Sequence, residues 1–323
     1  MRRRDFLAVL GGASAAWPIS SLAQTKTVPR VGYVWIGARG TDVSNAGLRQ
    51  GFSDRGYVVG RDLVLEERYA DGDAARLPSL IAGLLSLNID VLVTPGSLIT
   101  REAQRATSTV PIVCVTGDPV GVGFAASLSQ PGGNITGLSL LSGDYSAKWL
   151  ELLKEVKPTM HRVAVLWNPD NPGSIRQIEH MHEVAGALGL TLMELSVRQA
   201  DIETSLAVVG TADFDGLVVT DDPVLEPLVP RLVALSANLR VPALYAFSTS
   251  VRQGGLMSYS ANFFELWRRA ASYVDLILKG ARPADLPIEQ ATEVSLNINL
   301  KTAATLGLSI PPTLLARADE VIE

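Results

Sequence analysis

Short apolar runs alternate with longer amphipathic stretches along the chain, and they do so in the same order twice. Arg30-Val-Gly-Tyr-Val-Trp-Ile-Gly37 is entered from a basic residue and left through glycine, the pattern of a strand covered on both faces in a parallel sheet. Its counterpart is Arg162-Val-Ala-Val-Leu-Trp-Asn-Pro169. A helix end followed by an alternating strand, Gly56-Tyr-Val-Val-Gly-Arg-Asp-Leu-Val-Leu-Glu66, matches Gly189-Leu-Thr-Leu-Met-Glu-Leu-Ser-Val197. Ile89-Asp-Val-Leu-Val-Thr-Pro-Gly-Ser97 then lines up with Phe214-Asp-Gly-Leu-Val-Val-Thr-Asp-Asp222, and Val110-Pro-Ile-Val-Cys-Val-Thr116 with Val241-Pro-Ala-Leu-Tyr-Ala-Phe247. Between these runs the apolar residues take helical spacing: Leu77, Leu80, Ile81 and Leu84 in one half, Ile175, Ile178, Met181 and Ala185 in the other. Alternating strand and helix predicts an α/β fold with two doubly wound parallel-sheet lobes of like topology.

The last third of the chain exceeds a simple duplication. Gly254-Gly-Leu-Met-Ser-Tyr259 leads into a helix whose apolar stripe is Phe263, Leu266, Trp267, Ala270, Val274, Ile277 and Leu278. A further strand-like stretch follows over 292–299, then a helix over 300–306. These surplus elements predict three crossings between the lobes, near 138–142, 255–260 and 283–290. The expected lobes are residues 28–138 plus 257–285, and 139–256 plus 286–323, joined by a three-stranded hinge that favours closure over free tumbling.

Residues 1–23 read as an address label. Arg2, Arg3 and Arg4 precede an apolar stretch from Phe6 to Ile19, and Ser21-Leu22-Ala23 offers a small-x-small cleavage site. The stretch is shorter than the roughly 20 residues a bilayer span needs. Arg3-Arg4-Asp5-Phe6-Leu7 resembles the twin-arginine export signal. These features predict an exported protein, soluble in the periplasm after cleavage near Ala23.

Composition narrows the function classes. The 323 residues are 47% hydrophobic and 19% charged with a net charge of −5, so no basic face is at hand for nucleic acid. The single cysteine, Cys114, excludes an internal disulfide and reads as a small apolar residue in a buried strand. His180 and His182 lie two apart on a helix and point away from each other, a poor metal pair. No phosphate loop, His-Glu-x-x-His or nucleophile elbow is present. Gly121-Val-Gly-Phe-Ala-Ala126 fits a variant dinucleotide fingerprint. It follows the fourth strand instead of the first, the wrong place for that site. Neither catalysis, a metal nor a cofactor is expected.

Several blocks carry a family resemblance. Arg2-Arg-Arg-Asp-Phe-Leu-Ala8, Leu128-Ser-Gln-Pro-Gly-Gly-Asn-Ile-Thr-Gly-Leu-Ser139, Gly255-Leu-Met-Ser-Tyr259, Ile298-Asn-Leu-Lys-Thr-Ala303 and Ile310-Pro-Pro-Thr-Leu-Leu-Ala-Arg-Ala-Asp-Glu-Val-Ile322 resemble the tryptophan/tyrosine-type substrate-binding proteins of ABC transporters. The resemblance implies a type I periplasmic-binding-protein fold whose lobes close on a small molecule, an amino acid or an aromatic or small organic acid. It also implies delivery to an ABC permease in the inner membrane. A monomer is expected, with no nucleic-acid partner. An exported α/β enzyme, or a ligand sensor feeding a signalling partner, is the alternative.

In open parallel sheets a ligand sits beyond the carboxyl ends of the strands, where helix N-termini offer unpaired amides. The residues at those ends are Trp35, Gly96, Ser97, Thr116 and Asp118 in the first half, and Asn168, Asp221, Asp222 and Tyr245 in the second. Gly96 lets backbone amides approach a ligand carboxylate, and Ser97 either adds a hydroxyl or caps its helix. Asp221 and Asp222 suit a ligand ammonium, although Asp222 before Pro223 also suits a helix cap. Trp35 and Tyr259 offer stacking walls. Asn168 offers a ligand amide contact or holds its turn.

Overall fold

The computed structural model describes residues 28–40, 43–140 and 142–323; the expected export signal lies outside them. The first sheet is built from β1 (Arg30–Trp35), β2 (Val64–Tyr69), β3 (Val91–Pro95), β4 (Ile112–Thr116) and β5 (Ile135–Ser139). The intervening helices are α1 (Val43–Asp54), α2 (Leu77–Leu85) and α3 (Ser97–Ala106). The second half repeats this plan with α4 (Ser142–Val156), β6 (Arg162–Trp167), α5 (Pro172–Ala185), β7 (Thr191–Ser196), α6 (Ile202–Thr211), β8 (Gly216–Val219), α7 (Val229–Leu239), β9 (Ala243–Tyr245), α8 (Thr249–Arg252) and β10 (Met257–Ala261). The remaining chain forms α9 (Phe263–Leu278), β11 (Glu289–Gln290), β12 (Val294–Asn299), α10 (Leu300–Thr305), α11 (Pro312–Leu315) and β13 (Glu320–Ile322).

Strand order runs β2-β1-β3-β4-β5-β11 in the first sheet and β7-β6-β8-β9-β10-β12-β13 in the second, so the first five strands of each follow one plan. The central strands are apolar on both faces because helices cover both: β3 and β4 are buried at every residue. Cys114 lies inside β4, fully buried, and burial pushes its thiol up to about 12, which leaves it inert. Gly137 of β5, its register partner, has φ +139, and a side chain there would lie 1.9 Å from the Cys114 carbonyl oxygen. The helical stripe of α5 is shorter than its spacing predicts. Ile178, Met181 and Ala185 are buried, whereas Ile175 is exposed.

The first crossing, between β5 and α4, falls where the sequence pattern places it, and the other two fall later. Residues 257–261, expected in the first lobe, form β10, which pairs with β9 and β12 of the second sheet. Glu289 and Gln290, expected in the second lobe, pair with Leu138 and Ser139 of β5. The reason is local: Asn262 caps α9 by accepting from the Glu265 amide at 3.2 Å, so the chain turns only after β10 is complete. From there α9 packs on α1 of the first lobe through glycine. A Cβ at Gly47 or Gly51 would come within 2.4 or 2.2 Å of the carbonyl oxygens of Phe264 and Arg268. The lobes are thus linked between β5 and α4, at 261–263 and at 290–294, and strand ends of both sheets line the cleft between them.

Candidate functional site

The cleft encloses a cavity of about 350 Å³. Its floor comes from strand ends of both sheets: Trp35 closing β1, Pro95 closing β3 with Gly96 next to it, and Val115 in β4, facing Asp221, Asp222 and Pro223 after β8. The side walls are apolar and rich in aromatic rings, with Phe247, Phe263, Phe264 and Trp267 beside Leu140 and Ala261. At the rim Arg252 donates two hydrogen bonds, at 3.2 and 3.1 Å, to the Glu320 carboxylate.

On the first-lobe side the notable element is the start of α3. Gly96 is its N-cap, held at φ +83, and no side chain caps the helix. The first-turn amides and the positive end of the helix dipole therefore lie beside the cavity without a side-chain acceptor. A side chain at Gly96 would stand 3.3 Å from Pro223 Cγ of the other lobe, so a small residue is what lets the two edges meet. Trp35 is 5% exposed, and its indole Nε1 finds no hydrogen-bond partner.

On the second-lobe side the two adjacent aspartates differ. Asp222 is fully buried and accepts from Asn171 Nδ2 at 2.7 Å, the Val224 amide at 2.7 Å, Ser174 Oγ at 3.2 Å and Asn168 Nδ2 at 3.3 Å. It ties the ends of β6 and β8 to the first turn of α5. Burial outweighs these four donors and raises its carboxyl above the usual range. Asp221 accepts from Gln177 Nε2, and no basic side chain among the described residues forms an ion pair with it. Burial, with the Asp222 charge second, pushes its carboxyl up to about 8. An empty cavity thus biases Asp221 toward its neutral form, and a cation placed beside it would draw out its charge.

The ten residues expected at the site separate into two groups. Trp35, Gly96, Asp221 and Asp222 line the cavity. Ser97 is buried as the first residue of α3 and is not its cap; its Oγ would be 2.7 Å from a Cβ at Gly173, so it packs against α5 instead of the cavity. Asn168 sits behind the wall on Asp222, with its Oδ1 accepting from the Asp170 amide at 3.0 Å. Thr116 is buried at the end of β4, its carbonyl accepting from the Leu140 amide at 2.8 Å. Asp118 lies along the seam between the lobes, 3.5 Å from Arg176 Nε. Tyr245 points into the second lobe, where its hydroxyl is 2.9 Å from Ser236 Oγ. Tyr259 stands edge-on to Tyr145 with ring centroids 6.0 Å apart, and its carbonyl accepts from Trp149 Nε1 at 2.8 Å.

No cluster of three metal-ligating side chains occurs among the described residues. His182 Nε2 meets Glu194 at 2.8 Å, and His180 Nδ1 meets Glu183 at 3.4 Å.

A family model described as ABC transporter substrate binding protein matches residues 33–322. The chain belongs to this family. A relative named tyrosine-binding protein, from Clostridioides difficile, is 25% identical over 272 residues, covering 83% of this chain and 77% of that protein. A conserved domain protein from Vibrio cholerae is 27% identical with a TM-score of 0.83, covering 91% of this chain and 99% of that one. A Streptococcus domain solved in complex with L-Trp is 24% identical, with the same TM-score and coverage. The family and the two relatives named for a bound amino acid are substrate-binding proteins, not enzymes, and the fold is that of type I periplasmic binding proteins. For a substrate-binding protein of this kind, the cleft is where sequence reasoning fell short. Phe263 and Trp267 belong to the apolar stripe of α9, while nothing in the local sequence marks Phe264, Arg252 or Glu320 as cleft residues. The capping asparagine before Phe263-Phe264 was the available signal, since a cap at a crossing sets the next two side chains on the cleft edge.

Proposed function

We propose that this substrate-binding protein captures an aromatic α-amino acid in its cleft and delivers it to an ABC permease. It would act as a monomer outside the cytoplasm, after twin-arginine export and cleavage near Ala23. The observation that carries the reading is the pairing of opposite polar ends across one aromatic cavity. Asp221 is a carboxyl without an ion-pair partner on one edge, and the start of α3, without a side-chain cap, lies on the other. A zwitterion fits that arrangement: its ammonium meets Asp221, its carboxylate meets the amides after Gly96, and a ring packs among Trp35, Phe247 and Phe263. The named ligands of the relatives, tyrosine and L-Trp, have this chemistry.

Titration calorimetry of the mature protein tests it with L-tyrosine, L-tryptophan, tyramine and 3-(4-hydroxyphenyl)propionate. Saturable binding of either amino acid is expected. Loss of either charged end should weaken it by about 100-fold, since a buried group is left without its partner. Equal affinity for the amine-free acid and L-tyrosine would refute the assignment of Asp221, and no binding of either amino acid would refute the ligand class.

A further inference from the structure

The loop after β4 contains the glycine pair that looked like a nucleotide fingerprint, and the structure gives it a different task. Asp118 begins a tight turn in which the Gly121 amide donates to Asp118 Oδ1 at 2.8 Å. A Cβ at Gly121 would lie 1.9 Å from Asp118 Oδ2, so only glycine permits this side-chain direction. The loop is clamped to its own lobe by α3: Gln104 Nε2 donates to the Gly123 carbonyl at 3.0 Å, Arg101 donates to the Val122 carbonyl, and the Arg101 guanidinium lies 4.8 Å over the Phe124 ring. The free oxygen of Asp118 points out of the first lobe toward Arg176 Nε on α5 of the second, 3.5 Å away. Glu179, one turn along α5, holds the other side of the Arg176 guanidinium. The pair flanks the close approaches of Ser97 to Gly173 and Gly96 to Pro223, where the lobes touch. Neither Asp118 nor Arg176 lines the cavity.

We propose that Asp118 and Arg176 are positioning residues that latch the cleft shut, with Gly121 aiming the carboxylate across the seam. This rests on the reading that a ligand is held between the lobes. An exposed ion pair adds little to a fold. Here the partners sit on separate lobes, so whatever the pair contributes goes to the closed state and is lost on opening. The latch acts on how long a ligand stays, not on which ligand enters.

The test is stopped-flow release of L-tyrosine from wild type, Asp118→Asn, Arg176→Gln and the double variant Asp118→Asn/Arg176→Gln, at low and high salt. Each single variant should release the ligand about 3–10-fold faster, with association within twofold of wild type. Wild-type release should quicken with salt while release from the single variants stays nearly flat. The double variant should release the ligand within twofold of either single variant, since each single variant already breaks the pair. Release rates within twofold of wild type in both single variants, or a double variant in which the two losses multiply, would overturn the latch. If neither L-tyrosine nor L-tryptophan binds wild type, the ligand reading fails by itself. The latch is then decided on the empty protein, by spin labels on Ser79→Cys in the first lobe and Thr204→Cys in the second. A smaller short-distance population in Asp118→Asn supports it, and identical distributions overturn it.

Discussion

The two lobes follow one strand order and present different chemistry to the cleft. The first lobe offers backbone: the start of α3 after Gly96, with no capping side chain, beside the indole of Trp35. The second offers carboxyls, Asp221 and Asp222, at the end of β8, which matches β3 of the first lobe in the strand order. In the first lobe that end reads Thr-Pro-Gly-Ser and in the second Thr-Asp-Asp-Pro. A duplicated scaffold has thus become a cleft with one edge suited to anions and the other to cations, through a change of two or three residues at equivalent strand ends. The second lobe then divides the labour between neighbours. Asp222 takes four donors and organises the loops, while Asp221 accepts from the Gln177 side chain and faces the cavity.

Breaking the two aspartates separately should have opposite effects. Asp222→Ala strands three side-chain donors and the Val224 amide, and should cost about 3–5 kcal/mol in denaturant unfolding. Asp221→Asn removes a carboxyl that folding keeps from ionising, and should stabilise the empty protein by roughly 1–4 kcal/mol at pH 7. The same substitution should weaken amino-acid binding by about 100-fold. Melting curves and calorimetry on both variants check this. Equal losses of stability in the two would erase the distinction between the neighbours.

The pH dependence follows from the direction of the Asp221 shift. Its carboxyl titrates near 8 in the folded, empty protein against 3.8 for the free group, so the folded chain retains a proton that the unfolded chain releases. The associated stability is fully present below the free value and is lost as pH rises through about 8. A bound ammonium reverses the preference: binding near pH 7 should release up to one proton, and affinity should climb by as much as about tenfold per unit between pH 6 and 8. Glu226 and Asp222 share the cavity wall, so Asp221→Asn is the control that isolates the residue. Calorimetry in buffers of different ionisation heat should show proton release in wild type and none in that variant.

The repeated apolar runs made the two-lobe fold legible, because strands buried on both faces leave continuous apolar sequence. Crossing positions were harder to read. Met257 to Ala261 is apolar enough for either sheet, and its membership is decided by pairing with β9 and β12, which no local pattern encodes. At the site, strand ends located the cavity but could not say which way each side chain turns. Trp35, Gly96, Asp221 and Asp222 face it, while Thr116 and Tyr245 point away at equivalent ends. The wall from α9 and the rim from β13 are supplied by segments far along the chain, and only the tertiary fold brings them in.

The smallest effect is expected at Tyr245, two residues before Phe247 on the same strand end. Tyr245→Phe removes one hydroxyl, whose partner Ser236 still donates to the Val233 carbonyl at 3.0 Å, so the loss should be about 0.5–1 kcal/mol in stability. Binding should stay within twofold of wild type, because the hydroxyl is committed to the second-lobe core. Phe247 lines the cavity, and Phe247→Ala should weaken binding of an aromatic amino acid by roughly tenfold through lost ring contact. Calorimetry on the two variants side by side separates core from wall at a distance of two residues. A Tyr245→Phe protein that binds as poorly as Phe247→Ala would mean that the cavity extends deeper into the second lobe than its lining residues indicate.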